Sequence, residues 1–206
     1  MIITAIEAIE NIPSMSRIYM DNNISFCLPK KRIDLLDFTE GKEISEDVLD
    51  YILSTEVYAA AKSAAVKFLS LKMRSSHEIR RKLSEFGYEE ATIDRVIENL
   101  TEIDYINDYK YAEKFITEKL KFKPESKKLL SMELSHKGIP DDIIDSALED
   151  FDLDEDNVAY ELLKKKYYKY TSFDEKTIHK MKTFLMSRGF SYSQISKAIS
   201  RFLPDE

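Results

Sequence analysis

The chain has 206 residues, a net charge of −7, a 43% apolar fraction and a single cysteine. These figures exclude a disordered chain, an intramolecular disulfide framework and, by the sign of the charge, a protein that relies mainly on duplex DNA for its affinity. No apolar run approaches the roughly 20 residues needed to span a bilayer. Met1-Ile2-Ile3-Thr4 lacks the basic start and long apolar stretch of a secretory leader, so a cytoplasmic protein is expected. Scarce Gly and Pro, with plentiful Leu, Lys and Glu, favour helices.

In chain order, residues 1–44 read as a small antiparallel β module. Ile24 to Pro29 alternates as a half-buried strand does. Asp21-Asn22-Asn23 fits a hairpin turn after a strand over Ser16 to Met20. Ile2 to Ile9 supplies a third strand, with an edge open to self-pairing. A helix near Ser45 to Thr55, capped by Ser45, offers Val48, Leu49 and Ile52 to cover the sheet.

Beyond residue 56 the chain repeats with a period of 51. Leu83, Leu134 and Leu185 are in register, as are Gly87, Gly138 and Gly189, and each glycine is followed by Tyr88, Ile139 or Phe190. Downstream, Ile93, Val96, Ile97 and Leu100 form an i, i+3, i+4, i+7 stripe. It recurs as Ile144, Ala147, Leu148 and Phe151, and again as Ile195, Ala198, Ile199 and Phe202. Such stripes are one apolar face of a helix. Upstream, Ile79, Leu130 and Met181 precede each leucine by four. Ala61 and Ala65 align with Ala112 and Ile116, and with Leu163 and Tyr167; Lys166 replaces Phe115 in the third unit.

Each unit therefore reads as helix, helix, glycine turn, helix, the glycine taking the left-handed position after the second helix. Ser75 with Glu78, and Ser191 with Gln194, form capping boxes. Pro140 suits a first helical turn, and Pro124 marks a break. The fold class is mainly α: a tandem array of three three-helix repeats behind a small antiparallel β module. The expected divisions are 1–56, 57–107, 108–156 and 157–206.

Charge is uneven. Residues 1–56 hold 5 Lys and Arg against 11 Asp and Glu, residues 108–156 hold 8 against 14, and residues 157–206 hold 10 against 5. The acidic run Glu149 to Asp156 reads as a solvated linker that caps the next helix, or else as an electrostatic contact to a basic surface. Three basic clusters are candidates for partner or DNA binding: Arg80, Arg81 and Lys82; Lys119, Lys121, Lys123, Lys127 and Lys128; and Lys164, Lys165, Lys166 and Lys169. The last is interleaved with Tyr167, Tyr168 and Tyr170, and lysines among aromatics suit single-stranded nucleic acid. The bland alternative is that the tyrosines pack inward while the lysines are solvated.

No catalytic chemistry is visible. His77, His136 and His179 lack metal-ligand spacing, and one cysteine makes a thiolate zinc site implausible. The four glycines form no phosphate loop, and no nucleophile elbow or kinase signature appears. No cofactor, no metal and no enzymatic activity are expected.

The same residues carry a family likeness. Arg74-Ser75-Ser76-His77-Glu78-Ile79-Arg80-Arg81-Lys82-Leu83 resembles the opening motif of the RecX family. So do Leu100 through Asp108, Tyr111-Ala112-Glu113-Lys114-Phe115-Ile116, and Glu133-Leu134-Ser135-His136-Lys137-Gly138-Ile139. The likeness covers most of residues 60–150 and extends more weakly to the C-terminus. It departs at Lys119-Leu120-Lys121-Phe122-Lys123-Pro124, where family members usually carry an arginine and a glycine; lysine lacks arginine's planar fork. The resemblance implies an elongated, curved monomer that lies in the groove of the RecA–single-stranded DNA filament, meeting DNA weakly or through RecA, and inhibits its ATPase and strand exchange. The competing hypothesis is a direct nucleic-acid binder built of helix-turn-helix-like units, against which the acidic total charge argues.

Overall fold

The computed structural model describes residues 1–170 and 173–203, which form two compact units, 1–107 and 108–206.

In the first unit, β1 (Ile3–Ile9), β2 (Ile12–Met20) and β3 (Ser25–Pro29) form an antiparallel sheet in that order. Ile18 stands opposite both Ile6 and Phe26. Asn11 and Asn23 supply the positive φ that the two tight connections require. The outer edge of β1 is not open to another copy at its start. The Ile3 N–H donates to the Lys42 carbonyl at 3.0 Å, the Gly41 N–H donates to the Ile3 carbonyl at 2.8 Å, and the Ile6 N–H donates to Glu40 Oε1 at 3.2 Å.

A short helix, α1 (Lys30–Leu35), follows Pro29, with Ile33 buried on the sheet. Then α2 (Glu46–Tyr51), a π-helical turn over Ile52–Val57 and α3 (Tyr58–Leu69) run on without a break, so the helix crosses residue 56 uninterrupted. Ser45 caps it by accepting from the Val48 N–H. Leu49 and Ile52 are buried as expected, but Val48 is 48% exposed. The π-turn widens the helix and shifts the buried face, bringing Glu56 and Val57 inward.

Helices α4 (Ser76–Glu85) and α5 (Glu90–Glu102) complete the first repeat. The second comprises α6 (Asp108–Phe122), α7 (Lys127–Ser135) and α8 (Asp141–Glu149). The third comprises α9 (Glu155–Tyr167), α10 (Glu175–Met186) and α11 (Tyr192–Phe202). In each repeat the first and third helices pack together. Ile79, Leu83, Leu130, Leu134, Met181 and Leu185 are all fully buried, as are most of the downstream stripes.

Glycine turns of one geometry close the second helices. Gly87, Gly138 and Gly189 have φ of 82°, 75° and 83°. The N–H of Tyr88, Ile139 and Phe190 reaches back to the carbonyl of Leu83, Leu134 and Leu185, respectively, at 3.2–3.3 Å. The glycine N–H bonds the carbonyl three residues back at 2.8–3.0 Å. This paired arrangement satisfies carbonyls that the helix end leaves orphaned, and it sets an apolar side chain over the leucine.

Both capping boxes form as expected. Ser126, in register with Ser75, caps α7, and the two serines are buried. Pro140 sits one position earlier than expected, as the residue just before α8. The third repeat breaks register at its cap: Asp174 starts α10 early and makes it longer than α4 or α7.

Candidate partner-binding surface

The three basic clusters meet different fates. On α4, Arg80 is held by Glu90 and Asp94 of α5, both at 2.5 Å, and hydrogen bonding to Asp94 raises its pKa further above the usual arginine value. Arg81 lies 3.9 Å from Glu85, and Lys82 lies 2.9 Å from the same carboxylate and 4.7 Å from the Phe86 ring centre. This cluster is largely neutralised by its own repeat.

The second cluster surrounds a buried acid. Glu125 has no exposed surface and is paired with Lys119 at 3.2 Å and Lys123 at 2.5 Å. Lys119 also pairs with Glu133. Burial opposes the charge on Lys119, but hydrogen bonds to Glu133 and Glu125 outweigh it, and its pKa is raised. Lys127 points inward, its Nζ donating to the Leu148 carbonyl at 3.2 Å. Among the described residues, Lys121 and Lys128 of this group reach solvent without a carboxylate partner, Lys121 lying 5.2 Å from the Phe122 ring centre.

Glu125 explains this stretch of sequence. Lys119 and Lys123 converge on it from the end of α6, and at this position their positive charge offsets the cost of burying a carboxylate. The signal was present, since Glu125 follows Pro124 between two lysines, but helical periodicity says nothing about a residue in a helix break.

The third cluster is the free one. Among the described residues, Lys165, Lys166 and Lys169 are exposed and have no carboxylate partner, while Lys164 only approaches Glu161 at 3.8 Å. The tyrosines divide: Tyr167 is buried, whereas Tyr168 is 71% exposed. Between α9 and α10 lies a groove of about 600 Å³ lined by Lys166, Tyr170, His179, Lys180, Phe184 and Ser187. The Lys166 ammonium stands 3.7 Å from the centre of the Phe184 ring, within cation–π range. His77, His136 and His179 all lie at the surface.

The acidic run is only partly a solvated linker. Asp154 caps α9, as expected, by accepting from the Asn157 N–H at 3.0 Å. Glu155, by contrast, is half-buried and joins two repeats. It accepts from the Lys127 N–H at 2.8 Å and from Gln194 Nε2 at 3.0 Å. Arg188 extends this joint: its carbonyl accepts from the Ser126 N–H at 3.0 Å, and its guanidinium donates to the Pro124 carbonyl at 3.3 Å.

Among the described residues, no group of His, Cys, Asp and Glu is placed to hold a metal ion, and no helix is long and apolar enough to cross a membrane. These elements define a helical-repeat protein with a sheet module at one end of its sequence and an exposed lysine cluster around the end of the first helix of its last repeat.

Known proteins share that organisation. Family models described as the first, second and third three-helix domains of RecX match residues 61–100, 107–148 and 154–199. The regulatory protein RecX of Clostridium acetobutylicum is 30% identical over 209 residues, covering 98% of this chain and 97% of that protein. That of Streptococcus sanguinis is 32% identical over 195 residues, covering 92% and 75%. A crystal structure of a regulatory protein RecX superposes with a TM-score of 0.65 at 24% identity, covering 97% of this chain and 98% of the other. RecX from Lactobacillus salivarius superposes over 70% of this chain and 96% of that one, with a TM-score of 0.58 at 27% identity. The chain belongs to the RecX family.

Proposed function

We propose that this chain is a non-enzymatic regulator that binds the RecA–single-stranded DNA filament and inhibits its ATP hydrolysis and strand exchange, and so modulates recombination, DNA repair and the SOS response. Similarity to regulatory proteins RecX along nearly the whole length carries this reading. A series of helical repeats supports it, because such proteins commonly present extended binding surfaces rather than catalytic clefts. The protein acts in the cytoplasm as a monomer, without a cofactor, through segments 1–56, 57–107, 108–156 and 157–206.

Lys164, Lys165, Lys166 and Lys169, joined by Lys121 and Lys128, are the contacts assigned to the filament. Their ammonium groups are not held by strong internal ion pairs, so a partner's acidic groups or phosphates gain their charge without breaking the fold. The test is RecA ATP hydrolysis on single-stranded DNA, titrated with this protein and using RecA from the same organism. A falling rate is expected, and about tenfold more of a Lys165→Glu/Lys169→Glu variant is needed for the same fall. A rate unchanged at saturating protein rejects the reading.

The groove of Lys166, Tyr170 and Phe184 favours a second reading, direct binding of single strands by charge and stacking. Gel shifts without RecA at two salt concentrations separate the two. Tight binding that weakens steeply with salt marks direct recognition.

A further inference from the structure

We propose that a groove in the first unit receives an acidic, amphipathic helix from a protein partner. The proposal stands apart from the RecA reading, because it concerns a different repeat and a different chemistry.

The groove has a volume of about 640 Å³. Helix α3 makes its floor. Ala61 and Ala65 of that helix are fully buried in the core, yet the adjacent Ala59, Ala60, Ser63 and Ala64 line the open groove. Four small side chains let another backbone approach closely. Phe68, Leu71 and Phe86 wall the groove at one end, and Leu71 is 74% exposed, a large apolar surface with nothing over it. From Ala59 to Phe68 the floor runs about 14 Å at the helical rise, enough for between two and three turns of a docked helix.

The charge at the rim selects the partner. Arg32, Lys67 and Lys82 line the groove against one lining carboxylate, the buried Glu56; Arg32 is held by Glu56 and Lys82 by Glu85, so the charge left to a partner is chiefly that of Lys67. Among the described residues Lys67 has no ion-pair partner. The surrounding residues 1–107 carry 13 Lys and Arg against 19 Asp and Glu, so a cationic groove lies within an anionic unit. An apolar stripe flanked by carboxylates matches that pattern, and helix-in-groove recognition uses such stripes at i, i+3, i+4 and i+7. An extended strand is the poorer fit, since the floor is helix α3, whose backbone groups are bonded within the helix and offer no ladder to a strand. A nucleic-acid strand is poorer still, because its phosphates would lie on a floor of alanines.

The probe is a fluorescein-labelled synthetic helix with leucines at those four spacings and glutamates elsewhere, titrated with the full chain and read by anisotropy. Saturable binding is expected, with Ser63→Glu weakening it at least about tenfold and Ser63→Ala leaving it unchanged. Ser63 is exposed, so both variants keep the native melting curve. The proposal is overturned by absence of saturable binding, by equal binding of the same helix with lysines for glutamates, or by indifference to Ser63→Glu. Competition for the site by an oligothymidylate, or occupation of it by a second copy on sedimentation, also overturns it.

Discussion

In the first unit the turn glycine Gly87 rests on the β-sheet; in the second unit Gly189, the turn glycine of the last repeat, rests on the preceding repeat. A Cβ on Gly87 would meet Cys27 Sγ at 2.7 Å and Ile9 Cδ1 at 3.0 Å. One on Gly189 would run into the Ser126 hydroxyl and meet Leu129 Cβ at 2.7 Å. The turns match, but their seats do not. The sheet and first repeat share one continuous hydrophobic core, whereas the second and third repeats keep separate cores. Glu155, Gln194, Arg188 and the start of α7 join the latter two through polar contacts. One repeat geometry is therefore compatible with a core shared with its neighbour or with a separate one, and the choice determines how far a disturbance spreads.

The sharpest way to break the comparison is to empty each core. Leu83→Ala and Leu185→Ala each cost about 3 kcal/mol. In hydrogen exchange, Leu83→Ala is expected to loosen the sheet together with α3–α5, while Leu185→Ala loosens α9–α11 and spares α6–α8. Equal spread in both units would contradict the separation of cores.

Next come the turns. Gly87→Ala and Gly189→Ala each combine a left-handed backbone with a steric clash, and about 2 kcal/mol is expected in a denaturant titration. A loss under about 0.5 kcal/mol would mean that the seats yield freely.

Glu125→Gln is expected to cost about 1–2 kcal/mol, because it leaves a buried amide facing two ammonium groups. Thermal melts of this variant against Lys123→Ala test the idea. The lysine, half-exposed, is expected to matter less, since Lys119 remains on the acid.

The seat of Gly87 in the first unit also has a pH signature. Burial pushes the Cys27 thiol above its ordinary 9.0, a shift that nearby Arg17 partly offsets. Burial likewise raises the Tyr88 hydroxyl. Both folded-state pKa values are raised, so their stabilising effect is complete below the unfolded values and is lost as pH rises from about 9 toward the folded ones. Melting curves from pH 8 to 11 are expected to show falling stability with a shallower slope in Cys27→Val. An unchanged slope would remove the thiol from the account.

Smallest is the surface network of α4 and α5. Arg80→Ala is expected to cost less than about 1 kcal/mol, because its partners are exposed.

Much of this was legible in residue spacing. Leu83, Leu134 and Leu185 fell on buried helix faces because a 51-residue period and a 3.6-residue helical repeat leave few other solutions. The glycine turns and both capping boxes followed from backbone sterics and local hydrogen bonding, which depend on neighbours in sequence. Helix α1 was missed because it is short and buries only Ile33. Val48 was assigned to the buried side, whereas the buried stripe of its helix runs through Leu49 and Ile52. The basic clusters were visible as charge, but not as free or neutralised charge. Arg80 pairs across two helices, and Lys119 converges with Lys123 on Glu125; both depend on where the chain returns in space.

Sequence by itself determined the three-helix repeat, its register, its turns and most of its buried residues, because those rest on periodicity and short-range bonding. Tertiary structure alone decided that α3 leaves a small-residue face open and that Lys165, Lys166 and Lys169 stand without a carboxylate partner among the described residues. It also decided that Glu155 ties two repeats together. Exposure, pairing and burial of a charged side chain are set by what folds against it, often from dozens of residues away.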